Sequence, residues 1–268
     1  MYLYKTIIIG GTGGMGRLIA QTFKDELDIY ISSRDTNKAK KVANELNVNY
    51  CSEKDYYDAD IILISVPMDK TLENCTKVIP LMKDGALLME ISSVKTGIVD
   101  QLKIPDNIEY ISVHPLFGPM GSFLDQNVVL IPVKTKKWLN IIKKLLEKKG
   151  SQVSIVSYKE HDKIMGNVQV IHHFSYLCLG VYLSENFVPK EFFTRSYKKT
   201  VDSFKNYEQN LKIMIEIQKL NPYSRMVRKK FAELVNELAE LPEELFEKKI
   251  IESLSKLYAH YTNEYLPD

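Results

Sequence analysis

Cysteine is scarce in this chain: only Cys51, Cys75 and Cys178 among 268 residues. The number is odd, no CxxC pair occurs and no Cys/His cluster has metal-ligand spacing. A disulfide framework and a zinc site are both unsupported. A surplus of one charge is also missing. Lys and Arg number 36 against 34 Asp and Glu, a formal charge of +2. That balance argues against a chain that coats nucleic acid. No uninterrupted apolar run reaches about 18 residues, so no membrane span is expected. The start, Met1-Tyr-Leu-Tyr-Lys5, lacks the basic segment and apolar core of a secretory leader. The expected setting is the reducing cytoplasm. Gly/Ser-rich linkers, low-complexity tracts and internal repeats are lacking too. Histidine is absent from the first 113 residues. Of the five present, His114, His161, His172 and His173 fall within 60 residues of chain.

What is there alternates. Continuous apolar runs at Tyr4–Gly10, Asp28–Ser33, Asp60–Pro67 and Gly85–Ser92 read as buried strands. Helical stretches near Gly14–Lys24, Thr36–Leu46 and Lys70–Ile79 separate them. This pattern predicts a Rossmann-type α/β fold, a doubly wound parallel sheet covered on both faces. Further strands are expected at Ile108–His114, Asn127–Val133 and Gln152–Ser157. A basic helix, Lys136–Lys149, lies between the last two and is stopped by Gly150. Beyond residue 158 strand punctuation ceases. His161–Phe187 is long enough for seven helical turns, and Pro189, Pro222 and Pro242 divide the rest of the chain. The sequence therefore predicts a dinucleotide-binding domain over 1–158 and an all-helical domain over 159–268. Charge clusters such as Arg228-Lys-Lys and Glu243-Glu read as solvated helix faces.

Gly11-Thr-Gly-Gly-Met-Gly16 fits G-x-G-x-x-G between an apolar strand and a helix, the context that gives the pattern meaning. Gly11 is expected to permit the tight turn, Gly13 to let a pyrophosphate approach the backbone and Gly16 to bring helix and sheet together. The helix N-terminus then offers N–H groups and partial positive charge to the phosphates. Thr12 and Met15 in the loop, with Val66 and Pro67 at a strand end, complete the expected cofactor contacts there. At the end of the second strand stand Ser32-Ser33-Arg34. An acid there would bind a free ribose, whereas hydroxyls and a guanidinium at Ser33 and Arg34 suit a 2′-phosphate. NADP is expected over NAD, although Asp35 follows one residue later.

Three more segments carry polar chemistry. Ile91-Ser92-Ser93-Val94-Lys95 and Ser112-Val113-His114-Pro115-Leu116-Phe117-Gly118-Pro119 both fall at carboxyl ends of strands. His161-Asp162 opens the first long helix, with Gln169, His172 and His173 further along it. His172 and His173 are about 100° apart on a helix. Gln169 and His173, four apart, share a face, and that face is assigned to the pocket. His161 and Asp162 are expected to cap the helix start and brace the domain junction. His260, with no motif around it, reads as a surface residue.

Together these motifs resemble the prephenate dehydrogenase family. The resemblance rests on GxGxxG, then S-V-K, then H-P-x-F-G-P nineteen residues after the lysine, then H-D with a second His twelve residues later. It implies NAD(P)-dependent oxidative decarboxylation of prephenate to 4-hydroxyphenylpyruvate, in tyrosine biosynthesis. It also implies a helical domain that forms a homodimer. By resemblance His114 is the base that takes the substrate hydroxyl proton, suited to it by an ordinary imidazole pKa near 6.5. Ser93 would bond the same hydroxyl or hold the nicotinamide side, Lys95 would place a positive charge near substrate or cofactor, and His173 would contact substrate from the second domain. One departure stands out. Where many family members carry a Tyr-Arg pair fourteen residues before Asn/Asp-Pro, this chain has Tyr207-Glu208 before Asn221-Pro222. Arg195, Arg225 or Arg228 would then supply the missing cation, or the substrate would be arogenate, whose ammonium a carboxylate favours. Another hydroxyacid or imine dehydrogenase and a non-catalytic NADP-sensing regulator are the remaining alternatives. The two domains use up the chain's length, so neither a fused chorismate mutase nor a tyrosine-sensing domain is expected.

Overall fold

Six strands among the described residues run parallel because the connection from each to the next carries the chain back to the same end of the sheet. The computed structural model describes residues 3–265, without the side chains of residues 206, 208, 209 and 262–265. In order come β1 (Tyr4–Ile9), α1 (Gly14–Phe23), β2 (Leu27–Ser32), α2 (Thr36–Leu46), β3 (Asn49–Tyr50), β4 (Ile61–Ile64) and α3 (Met68–Val78). Next along the chain are β5 (Leu87–Glu90), α4 (Thr96–Val99), β6 (Glu109–Pro115), β7 (Asn127–Lys134), α5 (Trp138–Lys148) and β8 (Gln152–Ile155). Across the sheet the order is β3-β2-β1-β4-β5-β6-β7-β8. The order reverses at β1, between β2 and β4, and opens a crevice at the carboxyl ends.

One expectation needs correcting. The sheet is not parallel throughout: β7 runs antiparallel to β6, with Val113 opposite Leu130. The connection over residues 116–126 contains no helix, and a parallel return requires a longer crossover. β8 is again parallel to β7, across α5.

Strand alternation builds two cores. Ile8 of β1 points to one face, with Ile19, Phe23, Ile31, Leu63 and Trp138. Ile7 and Ile9 point to the other, with Ile62, Ile64, Val78, Leu88 and Tyr110. Each fully buried apolar side chain of this size contributes about 1.5–3 kcal/mol. Trp138 opens α5 and donates its indole N–H to the Gly85 carbonyl at 2.9 Å. The Glu109 carboxylate of β6 accepts from the backbone N–H groups of Lys136 and Trp138, satisfying the start of that helix from a distant strand.

From Tyr158 onward every described element is helical. α6 (Tyr158–Met165) is capped by the Ser157 hydroxyl, which accepts from the Glu160 N–H. It runs through a π-helical stretch, Gly166–Val170, straight into α7 (Ile171–Glu185). After α8 (Arg195–Leu220), Asn221-Pro222 turns the chain into α9 (Ser224–Glu240) and then α10 (Glu243–Tyr265). The chain forms two compact units, 1–224 and 225–268. The second consists of α9, beyond its first residue, and α10, joined by a Lys249–Glu237 ion pair.

The glycine loop turns one residue earlier than its motif suggests. Gly10, not Gly11, has the positive φ of 81°. A Cβ on Gly10 would lie 2.3 Å from the Ser65 carbonyl oxygen. Gly10→Ala is expected to cost about 2 kcal/mol or more in urea unfolding, for both strain and overlap. Gly97→Ala, whose Cβ meets nothing within 4 Å, should instead gain up to about 1 kcal/mol. Equal midpoints for the two variants would contradict this reading.

Candidate active site

A cleft of about 710 Å³ lies over the carboxyl ends of β1, β4, β5 and β6, within the usual range for small-molecule sites. Its floor is Gly13, Gly14 and Met15 at the start of α1, with Ser65, Val66, Pro67 and Met68 after β4. One wall is residues 91–93 and 114–119. The other is Gln169 and His173, with Tyr207, Lys212, Glu216 and neighbouring apolar residues of α8.

The floor fits a dinucleotide pyrophosphate. Gly13 stands at the N-cap of α1 and has no side chain to cap it, so the first-turn N–H groups are left to a ligand. Gly11 and Gly16 are packing positions behind the floor. A Cβ on Gly16 would stand 2.6 Å from Gly11 Cα, and one on Gly11 2.8 Å from the Ile31 side chain. Gly14, outside the motif, is needed as well. A Cβ there would lie 2.7 Å from Pro119, so the glycine loop packs against the His-Pro-x-Phe-Gly-Pro loop.

At the end of β2, Thr12 donates a long 3.5 Å hydrogen bond to the Ser33 hydroxyl, and Arg34 is exposed. Asp35 is committed elsewhere, because its carboxylate accepts from the Lys38 N–H at 3.0 Å and caps α2. Ser32 is buried against the Tyr56 hydroxyl, 2.6 Å away.

Of the residues expected to meet substrate, Ser93, His114, Gln169 and His173 line the cleft and Lys95 does not. The Lys95 side chain is fully buried beneath the site. Its ammonium pairs with Glu90 at 3.0 Å and donates to the Val113 carbonyl at 2.8 Å. Glu90 also accepts from the Ser92 N–H and from the Ser92 and Ser112 hydroxyls. The sequence signal for Glu90 is one carboxylate inside an otherwise apolar strand.

His161 and Asp162 do not cap their own helix, which Ser157 does. Asp162 instead caps α4, accepting from the Lys95 N–H at 3.0 and 3.1 Å and from the Thr96 N–H at 2.8 Å. It thus ties α6 to the loop after β5. Burial pushes its carboxyl up, but the His161 and Thr96 hydrogen bonds outweigh this and hold it below the usual range. His161 bridges Asp162 and His114, with Nδ1 2.8 Å from Asp162 Oδ1 and Nε2 2.9 Å from His114 Nδ1.

Buried Gln169 Oε1 and His173 Nδ1 have no hydrogen-bond partner among the described residues, a costly state that a polar ligand would relieve. Burial, then His172, lowers the His173 pKa. His172 itself is exposed, 3.4 Å from the Tyr207 hydroxyl. His260 is exposed as expected. Among the described residues, Lys212 is the one Lys or Arg in the cleft wall, 3.6 Å from Glu216. Arg195 is not in that wall, Arg225 and Arg228 belong to the second unit, and the Glu208 side chain lies outside the described residues. No group of three metal-ligating side chains occurs among the described residues, and no described helix is long and apolar enough to cross a membrane.

Sheet order, glycine loop and crevice define a Rossmann-type nucleotide-binding fold with a helical extension. The family model "Prephenate dehydrogenase, nucleotide-binding domain" matches residues 19–155, and the chain belongs to the prephenate dehydrogenase family. It is 28% identical over 271 residues to a "Probable arogenate/prephenate dehydrogenase" of Methanocaldococcus jannaschii, covering 96% of this chain and 61% of the relative. It is 27% identical to a "Probable prephenate dehydrogenase [NADP(+)]" of Schizosaccharomyces pombe, covering 86% of this chain and 57% of that one. The chain thus spans about three-fifths of the length of these relatives. The crystal structure of prephenate dehydrogenase from A. aeolicus, in complex with hydroxyphenyl propionate and NAD+, superposes with a TM-score of 0.82 at 19% identity, covering 98% of this chain and 99% of that one. At that identity the likeness speaks for the fold.

Burial, followed by the charge of Lys95 and then His161, holds the His114 pKa well below its ordinary 6.5. The unfolded chain takes up a proton at this residue as pH falls through about 6.5, and the folded chain does not. Stability from this group is therefore complete above that pH and is lost below it. Between pH 6.5 and 5, His114 should steepen the fall in unfolding free energy by up to about 1.4 kcal/mol per pH unit. Urea unfolding of the wild type and His114→Asn across that range measures it. Identical slopes would show that His114 is not held neutral.

Proposed function

We propose that this chain oxidises prephenate, with loss of CO₂, to 4-hydroxyphenylpyruvate, using NADP in preference to NAD. The observation that carries the reading is the place of His114. Its buried, neutral ring stands at the end of β6 in the wall of the cleft, between the uncapped helix of the glycine loop and the pair Gln169 and His173. Hydride acceptance is what a nicotinamide supplies when bound. His114 takes the proton of the ring hydroxyl, as a neutral imidazole should. Ser93 bonds the same hydroxyl and steers it. Gln169 and His173 offer their unpartnered polar atoms to the substrate. Lys212 meets a substrate carboxylate, taking the part of the cation missing at Glu208. Lys95 acts from below by holding the site's backbone and charge in place. Aromatisation drives the loss of CO₂, so the chain mainly orients its ligands.

Support for NADP comes from Arg34 and Ser33 beyond β2, and from Asp35 being turned to its own helix. The S. pombe relative is named for NADP(+) and the A. aeolicus protein is described with NAD+. We assign residues 1–158 to cofactor binding and 159–268 to substrate binding and dimerisation, in the cytoplasm. α7 carries an apolar sequence, yet none of its residues is fully buried. Val181 and Tyr182 within it, and Phe187 beyond its end, are exposed. A second copy would cover such a surface.

Formation of reduced cofactor from prephenate, arogenate and simple hydroxyacids, with NADP and with NAD, tests the reading. Prephenate with NADP should give the highest kcat/KM. A clear preference for arogenate or NAD would overturn that part, and cofactor binding with no turnover would favour the regulator. His114→Asn should keep cofactor affinity while turnover falls at least about 10²-fold. Light scattering on the eluting protein should give twice the chain mass of 30.9 kDa; a monomer would refute the dimer.

A further inference from the structure

The polar file behind His114 contains more information than a brace requires. Asp162 is ionised and accepts two backbone N–H groups, so it is an acceptor only. Its 2.8 Å contact with His161 Nδ1 therefore requires the proton on that nitrogen. A neutral His161 protonated on Nδ1 has a bare Nε2. That bare nitrogen lies 2.9 Å from His114 Nδ1, so His114 Nδ1 must be the donor. With both rings neutral, two buried contacts read from the carboxylate outward leave one tautomer for His114.

We propose that Asp162 and His161 are positioning residues that hold His114 with its proton on Nδ1 and a bare Nε2 toward the cleft, and that His161 receives the Nδ1 proton when Nε2 takes one from substrate. The balance is simple. The substrate O–H bond breaks and an N–H bond forms at His114 Nε2. The His114 Nδ1–H bond breaks and an N–H bond forms at His161 Nε2. His114 ends neutral and the positive charge rests on His161.

The surroundings favour that resting place. Below His114 lies the fully buried ammonium of Lys95, already paired with Glu90. A second cation on the His114 ring would be buried beside it. His161 touches the Asp162 carboxylate directly, and that carboxylate is fixed by the α4 backbone. Moving the charge one ring inward exchanges repulsion from Lys95 for attraction to Asp162. The turnover part of this proposal rests on His114 being the base; the tautomer part does not.

The test begins with imidazole ¹⁵N NMR on the full chain without substrate. Wild-type His114 should show a protonated Nδ1 and a bare Nε2; the reverse would overturn the proposal. In Asp162→Asn, the amide oxygen keeps the backbone N–H groups and its NH₂ faces His161. Both rings should then switch tautomer, protonating His114 on Nε2. Turnover should fall at least about 10²-fold with cofactor KM unchanged, the effect of a wrong tautomer. His161→Gln offers an oxygen to His114 Nδ1 but cannot carry a proton. It should keep the wild-type His114 tautomer, lose about tenfold in kcat and move the acid limb of its pH profile. Wild-type kcat and pH profile in His161→Gln would overturn the hand-over. If Asp162→Asn does not fold, the wild-type spectrum and His161→Gln still decide. An inactive wild type with the expected spectrum would refute the proposed function and leave the tautomer assignment standing.

Discussion

What faces the cleft depends on where one buried carboxylate sends its hydrogen bonds. Asp162 sits on the first helix after the sheet, yet it satisfies the backbone at Lys95 and Thr96 on the loop after β5. That bond joins two parts of the chain more than 60 residues apart. It fixes where α6 crosses the sheet end, and the continuation of α6 then carries Gln169 and His173 to a place opposite His114. Asn221 reinforces it from the end of α8 by donating to the Asp162 carbonyl at 2.8 Å.

The junction is polar because it has to be specific. Glu90 and Lys95 are fully buried, and an ion pair in such a place returns little net stability compared with apolar packing. Removing either partner alone would strand a charge and cost about 3–5 kcal/mol. The pair therefore adds little beyond apolar packing, but it constrains strongly. It admits one arrangement of the β5 end, the loop after it and the β6 backbone at Val113. The small apolar contact among Val94, Val170, Ile217 and Met68 then packs the same junction from the side.

Much of this is legible in the sequence. Buried parallel strands announce themselves as continuous apolar runs, and β1, β2, β4 and β5 are located that way. The change to helix after about residue 158 is equally plain. What stays hidden is whatever depends on neighbours distant in sequence. The turn at Gly10 is set by the Ser65 carbonyl just beyond β4, so the motif's first glycine looks like the turn residue. Lys95 is polar and sits in a motif, and nothing local says that Glu90 draws it under the floor. Asp162 looks like the cap of the helix it begins, whereas the N–H groups it satisfies belong to α4. Lys212 carries no motif and enters the cleft from α8, whose C-terminal end is pinned by Gln218 and Asn221. The antiparallel β7 comes from a connection too short for a crossover helix, and apolar strand patterning carries no sign of direction.

The π-helical stretch at Gly166–Val170 has a consequence for how the chain can vary. A π turn accommodates one residue more than an α turn, and here the Ile171 N–H reaches back to the Gly166 carbonyl. Gln218 on α8 donates to the Val170 carbonyl, so the widened turn is stapled rather than loose. Everything beyond it in α7 is offset in phase by about one residue, or roughly 100°, from a plain α-helix. Removing a single residue from this turn would heal the helix and swing His173 from the cleft. The helix that most needs to stay in register with the sheet therefore tolerates substitution along its length far better than it tolerates deletion.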